Sequence, residues 1–170
     1  MLVLEIANPS CIRRTISFCE AFFDKKVEVE GVTAKRAESL EDAFAIYGQG
    51  QIPVMIDENG SMIQEVQPPV VVDAILAKRN LGTKITDAPA VIGVGPGFCA
   101  GKDVDAVIET QRGHNLGRVI YEGEAAPNTG IPGMIGGYAK ERVIHAPATG
   151  KLHIFCLLYT SPSPRDLSTS

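Results

Sequence analysis

The chain opens on uninterrupted apolar residues. Met1-Leu2-Val3-Leu4 leads into Glu5 and Ile6, and a nearly continuous apolar run of this kind marks a parallel strand covered on both faces. Asn8 then offers a helix cap with Pro9 at the first helical position. Ile12, Ile16, Cys19 and Phe23 recur as one helical stripe. From Lys26 to Ala37 the pattern alternates through Val27, Val29, Val32 and Ala34, which predicts a strand or hairpin. Ser39 caps a helix over Leu40 to Tyr47, and Glu41 and Asp42 suit its positive end. Ile52 to Ile56 is a short strand, and Asp57-Glu58-Asn59-Gly60 a turn.

Beyond Pro68-Pro69, the run from Val70 to Leu76 predicts another buried strand, and Pro89 to Val94 a further one that meets Gly95-Pro96-Gly97-Phe98 directly. Asp105 to Glu109 and Arg118 to Tyr121 are strand-like and flank a polar loop. A glycine-rich stretch follows at 128–138, and no internal repeat is visible. The predicted fold class is α/β: a parallel Rossmann-like sheet with helices, then a mainly β, loop-rich C-terminal part. The expected divisions are a partial Rossmann-like region over 1–95, a loop-rich ligand-site region over 96–152, and a tail over 153–170.

Composition narrows the reading. A chain of 170 residues with 45% apolar and 21% charged residues suits one compact domain and excludes disorder over most of its length. The apolar runs are far shorter than the roughly 20 residues of a membrane span. A net charge of −4 without a Lys/Arg cluster argues against a nucleic-acid or anionic-membrane surface. Cys11, Cys19, Cys99 and Cys156 form no C-x-x-C clip and no metal site is expected. Sparse cysteines without a signal peptide point to the cytoplasm. From Leu157 the composition shifts to Ser, Thr and Pro, and this end resembles translated adapter sequence. A strand beginning at the first residue implies a missing neighbour, so the chain is read as an internal fragment.

Several residues carry candidate chemistry. Glu5 stands at the carboxyl end of a parallel strand, where open α/β sheets place ligands; its ordinary role is a solvated strand-end carboxylate. Lys78, Arg79 and Asn80 follow another strand and suit a phosphate or carboxylate, or simply an exposed loop. Gly95 and Gly97 flank Pro96 in a turn whose amides can form an anion nest. The pattern matches neither standard phosphate loop. The loop from Glu109 to Arg118 is densest, with Glu109, Thr110, Arg112, His114, Asn115 and Arg118 in a turn shaped by two glycines. His114 suits a general base, although a lone histidine more often serves as a hydrogen-bonding residue, and Cys99 reads as a small buried thiol. Together these positions predict that Lys78, Arg79, Arg112, His114 and Arg118 converge with the Gly95-Pro96-Gly97 amides on one anion, with Glu109 as a competing internal counter-ion.

The strings Leu4-Glu5-Ile6, Ile12-Arg13-Arg14-Thr15, the run from Val71 to Asn80, Gly95-Pro96-Gly97-Phe98, the run from Glu109 to Arg118, and Pro127-Asn128-Thr129-Gly130 closely resemble the selenium-dependent molybdenum hydroxylase system protein family. The resemblance covers about residues 1 to 152. It implies an accessory protein that helps mature or insert a selenium-containing molybdenum cofactor, with a molybdopterin-type cofactor or a nucleotide as ligand. The implied partner is a molybdenum hydroxylase of the xanthine dehydrogenase type. Two family features have no counterpart here: a Gly-rich turn placed before Met1, and a small β segment after Lys151. Three classes of function stay open: a cofactor-binding maturation factor, a nucleotide-dependent enzyme acting on a small anion, and a non-catalytic adaptor of the hydroxylase.

Overall fold

A computed structural model of the chain describes residues 1–9, 14–131, 133–142 and 147–150. It divides into two units, Met1–Asn128 and Thr129–Ser170. The fold is α/β, with two parallel-containing sheets, few helices and a β-rich remainder.

The first sheet is built from β1 (Val3–Glu5), β2 (Lys26–Val29), β3 (Val32–Arg36) and β4 (Ile52–Ile56), in the order β1-β4-β3-β2. β4 pairs in parallel with β1 and β3, while β2 and β3 form an antiparallel hairpin. Its two-residue turn has both φ values positive, 51° at Glu30 and 80° at Gly31. That geometry matches the twist of the flanking strands. β4 is the apolar centre of the sheet, with Val54 fully buried. On one side Val54 packs with Cys19, Ala21, Phe22 and Ala34. Ile46 and Ala43 of α2 (Leu40–Gly48) pack with Met55 and Ala37. Ser39 caps α2 as expected, its hydroxyl accepting from the Asp42 amide at 3.2 Å.

The helix expected across Ile12 to Phe23 is not continuous. Residues 10–13 lie outside the described residues, and 14–24 form three short turns, the last being α1 (Ala21–Asp24). Ser17 sits in extended backbone and accepts from the Cys19 amide, which restarts the chain and shifts the phase. Phe22 is therefore buried, while Ile16 and Phe23 of the expected stripe are exposed. α3 (Ser61–Val66), held by Asp57 through the Met62 amide at 2.7 Å, was not expected, since its six residues are too few to establish a helical period.

The second sheet comprises β5 (Val70–Asp73), β6 (Ala90–Val94), β8 (Ala106–Ile108) and β9 (Val119–Ile120), in that order. β5, β6 and β8 run parallel, and β9 returns antiparallel to β8. A two-stranded ribbon of β7 (Cys99–Ala100) and β10 (Gly123–Glu124) accompanies it. One face is the core: Val91, Phe98, Ala100, Val104, Val107 and Ala125 cluster there. The boundary expected at 95/96 therefore falls inside this sheet, because β6 and β8 pair across it. The strand at Val70 was expected to be covered on both faces. Instead β5 is an edge strand, and Val70 and Val72 are 48% and 56% exposed. Val119, at the other end of the sheet, is also exposed, and Ile92, Val94 and Ile108 are half-buried.

In the second unit, Ile135 and Tyr138 exchange two backbone hydrogen bonds, followed by a helical turn at Lys140–Arg142. The expected tail over 153–170 lies outside the described residues.

Gly93 sits under the Phe98 ring: a Cβ there would lie 2.6 Å from two ring carbons. Gly93→Ala is expected to cost about 1–3 kcal/mol through overpacking, read as a lower urea midpoint at unchanged slope. An unchanged midpoint would show that Phe98 does not depend on this gap.

Candidate functional site

Parallel pairing of β5, β6 and β8 brings their carboxyl ends to one rim, the place where open α/β sheets bind ligands. Three loops leave from this rim. The first, after β5, contains two non-glycine residues in the left-handed region, Leu76 at φ 58° and Lys78 at φ 64°. Such backbone is strained for residues with long side chains and persists only where its surroundings impose it. Two groups impose it here. Asp73, buried at the end of β5, accepts from the Ile75 amide at 3.1 Å and from the Thr83 hydroxyl at 2.5 Å. Asn80 accepts from the Gly82 and Thr83 amides and donates to the Thr83 carbonyl, each at 2.8 Å.

The second loop is Gly95-Pro96-Gly97. At Gly97, φ is 112°, and a Cβ would stand 2.5–2.8 Å from the main-chain N, Cα and C of Arg79. The glycine is there because the β5 loop lies directly against it. Gly95 is hemmed in by Thr110 and Leu76, and its amide donates to the Ile108 carbonyl at 2.9 Å. The expected nest is therefore reduced: the Gly95 amide extends the sheet, and the Gly97 amide has no partner among the described residues.

The third loop is a β-hairpin between β8 and β9. Its base is closed by Glu109 N to Arg118 O and Gly117 N to Glu109 O, both 2.9 Å. Glu109 is the residue whose role the sequence misassigned. Its carboxylate is buried rather than facing the cations. It accepts from the Gln111 amide at 2.7 Å and, across seventeen residues, from the Ala126 amide at 2.8 Å. The Ala126 and Gln111 amides hold its carboxyl below the usual carboxylate range, against burial, which pushes it up. The counter-ion expected of Glu109 is thus a staple that ties hairpin, sheet and the 124–128 segment together.

Between the first two loops and the 124–128 segment lies a cleft of about 350 Å³, bordered by Lys78, Pro96, Gly97, Glu124, Ala125 and Asn128 among others. Lys78 and Gly97 were expected here; Glu124 and Asn128 were not. Arg112, His114, Asn115 and Arg118 do not line it. All four are exposed on the hairpin, and none has an ion-pair partner among the described residues. The single convergence of five basic residues expected from sequence resolves into a cleft with Lys78 at its border and a separate basic hairpin. The Arg79 side chain is exposed and does not line the cleft; its main chain packs against Gly97. Glu5 belongs to the first sheet, where its carboxylate accepts from the Ile6 amide at 3.1 Å. Cys99 is half-buried, its thiol 3.8 Å from the Ala100 carbonyl. A larger cleft of about 490 Å³ opens by Met1, Tyr47 and Ile52, at the amino ends of β1 and β4, with no charged side chain in its lining.

The sequence is similar to Uncharacterized protein YqeB of Escherichia coli (strain K12). The two are 53% identical over 150 residues, which is 88% of this chain and 28% of that protein. The chain thus spans less than a third of the length of the relative it matches. No family model matches the chain, and no solved structure does.

The staple has a pH signature. A carboxyl held low in the fold contributes stability that is fully present above its unfolded value of about 4.3 and disappears as pH falls through the folded value. Glu109→Gln is expected to cost about 1.5–3 kcal/mol at pH 7, from two charge-assisted bonds. The deficit should shrink towards pH 3, measured by urea unfolding at both values. An equal deficit at both would remove the staple role.

Proposed function

We propose that this chain supplies an anion-binding region to an accessory protein that matures a selenium-dependent molybdenum hydroxylase. In this reading the ligand is a molybdopterin-type cofactor or a nucleotide, the partner a hydroxylase of the xanthine dehydrogenase type, and the setting the cytoplasm. Two lines support it. The first is the set of sequence strings that resemble that protein family, three of which map to the rim: the β5 loop, the Gly95-Pro96-Gly97 turn and the Glu109–Arg118 hairpin. The second, which carries the reading, is the left-handed Lys78 loop seated on Gly97 at the carboxyl ends of β5 and β6. Strained backbone held by a buried Asp73 and a fully engaged Asn80 is the kind of preorganisation binding sites show.

The residues fit the phosphate of such a ligand. The Lys78 ammonium supplies charge and the Gly97 amide a main-chain donor. That phosphate chemistry is common to the cofactor and to nucleotides. No helix among the described residues is long and apolar enough to cross a membrane. An adaptor role has one observation of its own, the uncovered apolar face of the second sheet at Val70, Val72 and Val119.

Two outcomes test the reading. Lys78→Asn removes the charge while suiting the left-handed backbone, and should weaken GMP binding by about 1.5–3 kcal/mol in calorimetry. Arg112→Ala, outside the cleft, should leave it unchanged. In cells, Lys78→Asn in the full-length protein should yield hydroxylase polypeptide depleted in molybdenum and selenium. Fully loaded hydroxylase would overturn the maturation role.

A further inference from the structure

Lys78 and Glu124 border the same cleft with opposite charges, yet they are not paired. Among the described residues the ion pair within 4.0 Å is Arg36–Glu38, in the first sheet. Both side chains are exposed, and the main chain that carries each has its own support. Lys78 lies in the left-handed loop whose next residue, Arg79, rests on Gly97. Glu124 lies in the β7–β10 ribbon, where it pairs with Cys99, two residues before the Ala126 amide that Glu109 holds. Asn128, four residues on, borders the same cleft.

We propose that this cleft recognises a bipolar ligand: a phosphate monoester whose far end presents paired hydrogen-bond donors. The phosphate sits with Lys78 and the Gly97 amide, and Glu124 accepts the donors at the other end, assisted by Asn128. A carboxylate accepts two parallel donors from a diol or from adjacent N–H groups. The size limits the ligand. About 350 Å³ lies near the lower end of the roughly 300–1,000 Å³ of small-molecule sites, which suits one mononucleotide-sized molecule rather than a dinucleotide. This inference rests on the anion-binding reading above and adds the second pole.

Calorimetry on the full chain separates the two poles. The probes are GMP, ribose 5-phosphate and phenyl phosphate, the last lacking donors at its far end. GMP is expected to bind at least tenfold more tightly than phenyl phosphate. Glu124→Gln, at an exposed position, should erase that preference without weakening phenyl phosphate binding, because it only removes a like charge from the cleft, whereas Lys78→Asn should weaken all three probes. Ribose 5-phosphate matching GMP assigns the donors to a diol, and matching phenyl phosphate assigns them to a base. A GMP preference that survives Glu124→Gln overturns the bipolar site and leaves the anion site standing. Absence of binding by every probe, with Lys78→Asn indistinguishable from the parent chain, overturns the anion site as well. Unchanged far-ultraviolet dichroism of both variants confirms that each is folded.

Discussion

The hairpin and the 124–128 segment at the rim of the second sheet are fastened together by one buried carboxylate. Glu109 stands where β8 ends and uses both oxygens on main-chain amides, one in the hairpin and one in the segment beyond β10. A buried carboxylate left without donors would cost several kcal/mol or take up a proton, so the two amides and the charge require each other. Because one amide belongs to Gln111 and the other to Ala126, the bond set fixes the cleft's far wall relative to the strands. Asp73 plays the matching part at the end of β5, holding the Ile75 amide and the Thr83 hydroxyl. Two acids that a composition count would assign to the surface are instead the internal fastenings of the loops.

This division of labour explains why the apparent cation cluster does not form one site. Lys78 is carried by a loop pinned from beneath by Asp73, Asn80 and Gly97. Arg112, His114 and Arg118 ride on a hairpin anchored, among the described residues, at its base. Parallel pairing delivers both to the same rim, but the hairpin's basic residues do not line the cleft that Lys78 borders. Sharing an edge of a sheet is a statement about strand ends; sharing a ligand needs the loops to fold back, and here the hairpin extends the β8–β9 ladder.

Much of the fold was legible. Alternation located β2 and β3, Ser39 located α2, and the apolar runs located β4, β5, β6 and β8, because period and capping are local properties. The first helical stripe failed at Ser17, whose hydroxyl competes for the Cys19 amide and resets the phase; nothing in the apolar spacing reports that competition. β7 and β10 escaped notice because two-residue strands have no period. In the site, the glycine turn and the Lys78 loop were legible from their residue types and their position after strands. Glu124 and Asn128 were not, since their place in the cleft is set by a ribbon between residues far apart in sequence. Glu109 was noticed as a charge and misread as a counter-ion, because burial and amide partners are tertiary facts.

The staple also sets how this region can come apart. Among the described residues, the long-range attachment of the 124–128 segment comprises a two-residue ribbon, a side-chain bond from Glu109 and the packing of Ala125 into the core. The β5–β6–β8 ladder beneath it has more backbone pairing and a core closed around Val91 and Val107. Partial opening therefore has a natural seam: the segment lifts away while the parallel ladder stays formed, a sub-global unfolding unit of low free energy. A molecule bound between Lys78 and Glu124 would bridge that seam and hold it shut. Occupancy and local cooperativity then become one quantity, and the cleft reports its contents through the rate at which the amides of 124–126 exchange with solvent.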